Sequence, residues 1–246
     1  MSTLVEGRNA VLEALRSDMP VSRVFVAEGL RSDHTLVEIE RVADRRGVPI
    51  ERVRRQVLDD LSERGAHQGV IARSAPFRFT PLPRILSEAQ SAKQSLLVAL
   101  DHITDAGNLG AIARSAEVVG AHGLIVPSRR SAALGPGAYK SAAGALAWLP
   151  VAQEPNLVRA LEACKSAGYW IAGASEHASL SAWAAPLEGR LVLVLGAEDS
   201  GLSRLVAENC DFLVSLPVVG RVGSLNVAQA ASVLAYEWLR RGAAQA

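Results

Sequence analysis

At 246 residues and 49% apolar content, the chain can bury a substantial core as one large or two modest domains, which excludes a disordered or fibrous protein. The formal charge of +1, with acidic and basic residues interspersed, neither announces nor excludes a nucleic-acid partner, so any basic surface must arise from the fold. Two cysteines without C-x-x-C spacing and five scattered histidines give no disulfide framework and no zinc pattern. No apolar run reaches the roughly 18 residues of a membrane span, and Met1 to Arg8 lacks a basic-then-apolar signal region. The expectation is a cytoplasmic protein with no metal and no membrane partner.

Residues 1–75 read as a small α/β unit. Asn9–Ser17 places Val11, Leu12 and Leu15 at helical spacing, Arg23–Ala27 is strand-like, Thr35–Arg46 is a charged amphipathic helix, and Val48–Val53 is strand-like again. A helix over Gln56–Arg64, the segment Gly65 to Gly69 and a short strand Val70–Arg73 complete it. Arg41, Arg45, Arg46, Arg52, Arg54 and Arg55 cluster in sequence, either as a solvated face or as a phosphate-contacting patch. Residues 76–94, with three prolines and then a polar stretch, are the candidate linker.

From Ser95, over residues 95–246, strands and helices alternate. Leu96–Leu100 is a strand, Asn108–Val119 a helix, Leu124–Val126 a strand, Leu157–Ala167 a helix and Trp170–Ala174 a strand. Leu191–Leu195 is a continuous apolar run with no polar face, as in a strand buried on both sides, and Leu202–Ala207 suggests a helix. The apolar stretch Phe212–Leu216 stops at Pro217, and a loop with Gly220 and Gly223 leads into a long helical pattern at Ser224. Val227, Ala231, Leu234 and Trp238 recur along that helix as a core or subunit-contact stripe. This alternation predicts a parallel sheet covered by helices on both faces.

Three stretches carry chemistry. In Asp101 to Arg114, Asn108 is a candidate helix cap and Arg114 lies one turn beyond Gly110, so a fixed guanidinium stands beside a strand end; taken alone, this reads first as a capped helix with a surface arginine. Gly196 to Gly201 supplies turn glycines, and its Glu198 or Asp199 could cap the next helix. Gly223-Ser-Leu-Asn-Val places Ser224, a candidate N-cap, and Asn226 at the mouth of an apolar helix. Two strand ends, each followed by a glycine-containing loop, could form one ligand crevice. Gly135-Pro-Gly137 lacks the third glycine of a dinucleotide-binding fingerprint.

In this order, N-x-G-x-x-x-R, G-A-E-x-x-G and L-P…G-S-L-N-V together resemble the three motifs of the SpoU (TrmH-like) branch of the SPOUT RNA 2′-O-methyltransferases. Glu6-Gly-Arg-Asn-Ala-Val-Leu-Glu-Ala-Leu and Ala66-His-Gln-Gly-Val-Ile-Ala-Arg resemble the start and end of the L30e-like RNA-binding domain of the RlmB type, the 23S ribosomal RNA guanosine methyltransferases. The resemblance covers essentially the whole chain. It implies an α/β catalytic domain with five or six parallel strands and a C-terminal trefoil knot, a homodimer, and S-adenosylmethionine as cofactor. It also implies that backbone groups of Gly196, Leu216 and Leu225 hold the adenosyl part, with Arg114, Asn108, Glu198, Ser224 and Asn226 as the catalytic set. Ala106, Pro136 and Ala228 depart from the residues usual at those positions. The implied reaction is ribose 2′-O-methylation of a 23S guanosine. Alternatives are transfer RNA, another ribosomal site as in resistance methyltransferases, or a non-catalytic ribosome-assembly protein.

Overall fold

A computed structural model describes residues 3–17, 19–62, 65 and 67–243. The end of the expected helix Gln56–Arg64 and Ala66 of the second L30e-like motif lie outside the described residues. By backbone contacts the chain forms two units, one of residues 1–78 with 134–144 and one of residues 79–133 with 145–246.

The first unit is built on a four-stranded mixed sheet, β1 (Thr3–Glu6), β2 (Val21–Ala27), β3 (Ile50–Val53) and β4 (Val70–Ser74), in the order β1-β4-β2-β3. Helices α1 (Arg8–Arg16), α2 (His34–Arg45) and α3 (Arg55–Leu61) complete it, as the alternation predicts. β1 was not foreseen. Phe25, Ala27, Leu58 and Ile71 form one part of its core. A further helix, α6 (Pro136–Ala142), belongs to this unit and packs against α1, where Lys140 pairs with Glu13 at 3.1 Å. Of the clustered arginines, Arg46 donates to the carbonyls of Ala14, Leu15, Ser17 and Met19 and so is a structural bracket. Arg41 pairs with Glu38 and Arg52 with Glu40. Arg45, Arg54 and Arg55 have no ion pair among the described residues.

The second unit carries six strands, all parallel: β5 (Ser95–Leu100), β6 (Gly123–Pro127), β7 (Val151–Glu154), β8 (Trp170–Ala174), β9 (Arg190–Leu195) and β10 (Phe212–Val214). Their order is β10-β8-β9-β5-β6-β7. Beyond their first residues, Ser95 and Arg190, the central strands β5 and β9 are wholly apolar because both faces are covered. On one face Leu97, Ala99, Val192 and Val194 pack with α4 (Leu82–Glu88), α7 (Leu157–Ser166) and α8 (Arg204–Asn209). The other receives α5 (Ala106–Val118) and α9 (Val227–Ala243), which pack together and on β6 and β9 respectively. Within the stretch read as a linker, α4 thus buries Leu82 and Ile85 in the core. Among the described residues no helix is long and apolar enough to cross a membrane.

Candidate active site

The loops that follow β5, β9 and β10 converge at the carboxyl edge of the six-stranded sheet. After β9 the chain turns at Gly196, where a Cβ would overlap the backbone of Gly201 and Leu202, so only glycine lets the loop double back this closely. Ala197 and Gly201 exchange backbone hydrogen bonds of 3.1 and 2.9 Å, and Gly201, at φ +65°, completes the turn.

Both helix caps differ from the expected ones. Asp105, not Asn108, caps α5: its carboxylate accepts the Asn108 N–H at 2.7 Å, which places Asn108 in the first turn with its carboxamide not used in capping. Likewise Asn226, not Ser224, caps α9, because the helix begins only at Val227. Its Oδ1 accepts the Ala228 N–H at 2.9 Å and its carbonyl accepts the Ala230 N–H at 2.9 Å. Ser224 lies in the exposed loop before the helix.

These caps bring the three motifs together. Asn226 Nδ2 donates to Asn108 Oδ1 at 3.0 Å and to Glu198 Oε1, and Glu198 Oε1 also faces the Val227 N–H at 3.4 Å. The Glu198 carboxylate thereby meets the first N–H at the positive end of α9, a favourable place for an anion.

Beside this junction lies a cavity of about 600 Å³, within the range of small-molecule sites. Gly196, Glu198, Leu216, Ser224 and Leu225 line it, with Leu195, Leu213 and Leu234 giving apolar wall. Asn108 and Asn226 join it through Glu198. Arg114 does not line it: the side chain is exposed two turns into α5 and has no hydrogen bond or ion pair among the described residues. Ser175, Glu176 and His177, which follow β8, also line the cavity and were not singled out in the sequence. Their signal was only that β8 ends on the same edge. Burial pushes the Cys164 and Cys210 thiols up to about 12, so neither is poised as a nucleophile.

The departures fall at tolerant places. Ala106 is the first residue of α5, where a proline would add stiffness without removing a needed hydrogen bond. Pro136 opens α6 in the same way, and Ala228 is buried with its N–H satisfied by Asn226.

Residues 95–236 match the model of the SpoU rRNA methylase family, and residues 4–80 match that of RNA 2′-O ribose methyltransferase substrate binding. An uncharacterized tRNA/rRNA methyltransferase of Mycolicibacterium vanbaalenii is 42% identical over 97% of this chain and 76% of its own length. YacO of Bacillus subtilis, which bears the name of a TrmH family tRNA/rRNA methyltransferase, is 39% identical over 96% of this chain and 95% of its own. Among solved structures, the SpoU methyltransferase AviRb from Streptomyces viridochromogenes in complex with the cofactor AdoMet superposes with a TM-score of 0.65. It is 28% identical, with 98% of this chain and 90% of that one covered. The chain therefore belongs to the SpoU family, with a substrate-binding domain before an α/β SPOUT catalytic domain, and is an S-adenosylmethionine-dependent RNA methyltransferase.

Proposed function

We propose that this enzyme methylates the ribose 2′-hydroxyl of a guanosine in 23S ribosomal RNA, in the cytoplasm and as a homodimer whose catalytic domain carries a C-terminal trefoil knot. The observation that carries the reading is the junction of Asn108, Glu198 and Asn226, which joins three motifs distant in sequence at the mouth of one cavity. The substrate-binding domain supports a 2′-O-ribose target, and the RlmB-type resemblance of Glu6 to Leu15 and Ala66 to Arg73 supports a 23S guanosine as the site.

The cavity suits the cofactor. Its apolar walls fit an adenosyl group, the glycine turn at Gly196 brings backbone within reach, and the Glu198 carboxylate suits a cationic sulfonium. Backbone groups of Gly196, Leu216 and Leu225 would hold the adenosyl portion, and Ser224 would shape the cavity mouth. When bound, S-adenosylmethionine supplies an electrophilic methyl group.

The protein must then align a poor nucleophile and stabilise the charge that develops on its oxygen. Arg114 is suited to the second task. A guanidinium is a fork of donors with no acceptor, so its role is to position a phosphate or hydroxyl and to stabilise the developing alkoxide rather than to remove a proton. With no hydrogen bond or ion pair among the described residues, those donors are available to RNA. Asn108, fixed by Asn226, would orient the ribose, and Glu198 would keep the cofactor loop in register with α9.

Two measurements test this reading. Purified protein given radiolabelled S-adenosylmethionine with unmodified 23S transcript, beside a transfer RNA pool, should label a guanosine ribose in 23S RNA. Label on transfer RNA alone would keep the enzyme class and overturn the substrate. Arg114→Ala should lower methyl transfer by about 100-fold while cofactor affinity stays within about twofold. Near-wild-type transfer by that variant would remove Arg114 from the machinery.

A further inference from the structure

Asp101 is a buried carboxylate, 2% exposed, at the first position beyond β5, and none of the roles above uses it. Its backbone N–H donates to the Leu195 carbonyl at 2.8 Å, where β9 ends. Its Oδ2 accepts the Ser203 N–H at 2.7 Å, where α8 is about to begin. Leu195 and Ser203 bracket the turn of residues 196–202, so both ends of that turn are held by one residue on the neighbouring strand. The remaining oxygen, Oδ1, lies 2.6 Å from His102 Nδ1. His102, next in the chain, has φ +61°, a left-handed conformation uncommon for a residue with a Cβ.

The turn so held is the one that carries Glu198 to Asn226 and lines the cavity with Gly196, Ala197 and Gly201. Removing the carboxylate would leave the Ser203 N–H without an acceptor and the His102 ring without a partner, while the strand-end bond from the Asp101 N–H would survive. The loss should therefore be local to the far end of the turn.

We propose that Asp101 is a positioning residue for cofactor binding: by holding both ends of the 196–202 turn it sets the shape of the cavity wall and, through Glu198, its register with α9. This rests on the reading that S-adenosylmethionine occupies this cavity, and the experiment separates the two ideas.

The full-length protein and its Asp101→Ala, Asp101→Asn and Ala230→Trp variants are titrated with S-adenosylmethionine by calorimetry. Thermal melting without cofactor and amide exchange over the chain are followed in parallel. Ala230 lines the cavity from α9, so an indole there should block the cofactor whatever Asp101 does. Asp101→Ala should weaken binding by about 10- to 100-fold, the effect of a lost hydrogen bond to a charged group. It should also speed exchange across residues 197–203 while β5 and β9 keep their protection. Asp101→Asn, whose Oδ1 can still accept the Ser203 N–H, should return to within about threefold of wild type. Wild-type affinity in Asp101→Ala overturns the proposal, and so does a loss of protection spread over the whole sheet or a failure of Asn to rescue. If Ala230→Trp blocks binding and Asp101→Ala does not, the cavity stands and the role of Asp101 falls. If Ala230→Trp binds normally, the cavity assignment itself falls, and the proposal with it.

Discussion

The carboxamide of Asn226 makes hydrogen bonds of both kinds at once, Nδ2 donating to Asn108 and Glu198 while Oδ1 accepts from the Ala228 N–H. An aspartate would keep the capping oxygen and lose both donated bonds, setting a second carboxylate against Glu198. Asn226→Asp should therefore reduce methyl transfer by about tenfold or more, since opposed carboxylates separate the turn from α9. A methyl-transfer assay with melting measured alongside checks this, and a wild-type rate would show that the junction is not part of the machinery. The identities of these polar residues were legible from motif order, but their local roles were not. Asp105 with Asn108, and Ser224 with Asn226, each offer two cap-competent side chains within one turn, and only the point where the backbone becomes helical chooses between them. Asp101 left one faint signal in the sequence, an acidic residue directly after an unbroken apolar strand.

Helix α9 is anchored at its far end by Glu237. The hydrogen bond from Arg240 and then that from Arg241 hold its carboxyl at about 2, against an ordinary 4.5. Arg241 also donates to the Trp183 carbonyl at 2.5 Å, and Trp238 Nε1 donates to the Gly189 carbonyl at 3.1 Å just before β9. Because the folded-state value is depressed, the stabilisation is fully present above about pH 4.5 and is lost as pH falls toward 2. Glu237→Gln should lower the melting temperature at pH 7, and the difference from wild type should shrink through that window. A melting series from pH 7 to 2 measures it; a difference that stays constant throughout would exclude the carboxylate as its source. Two other elements show why prolines misled the sequence reading. Pro81 caps α4 and Pro83 falls in its first turn, while Pro136 opens α6, all places where a missing N–H breaks no helical bond. The prolines that suggested a linker, Pro81 and Pro83, sit at a helix start.

At the scale of the whole molecule, the alternation of strands and helices revealed the layers but not the order of the strands. Nor could it show that residues 134–144 join the first unit rather than the one that surrounds them in sequence, because that depends on packing of α6 against α1. The proposed homodimer is a question at this scale too. Ser115 of α5 and Ser232 of α9 share a hydrogen bond of 2.7 Å, and within a turn of them Val118, Val233 and Tyr236 are left 57%, 37% and 51% exposed. These exposed apolar side chains on two adjoining helices are where the proposed dimer would seat its second copy. Charges placed there would have to be buried in a dimer, whereas in a monomer they would remain in water. Val233→Lys together with Tyr236→Glu should therefore shift the protein to a monomer in sedimentation or light-scattering measurements, with the fold retained by circular dichroism. A wild-type protein that sediments as a monomer at micromolar concentration would refute the dimer. A double variant that remains dimeric would move the interface to another face.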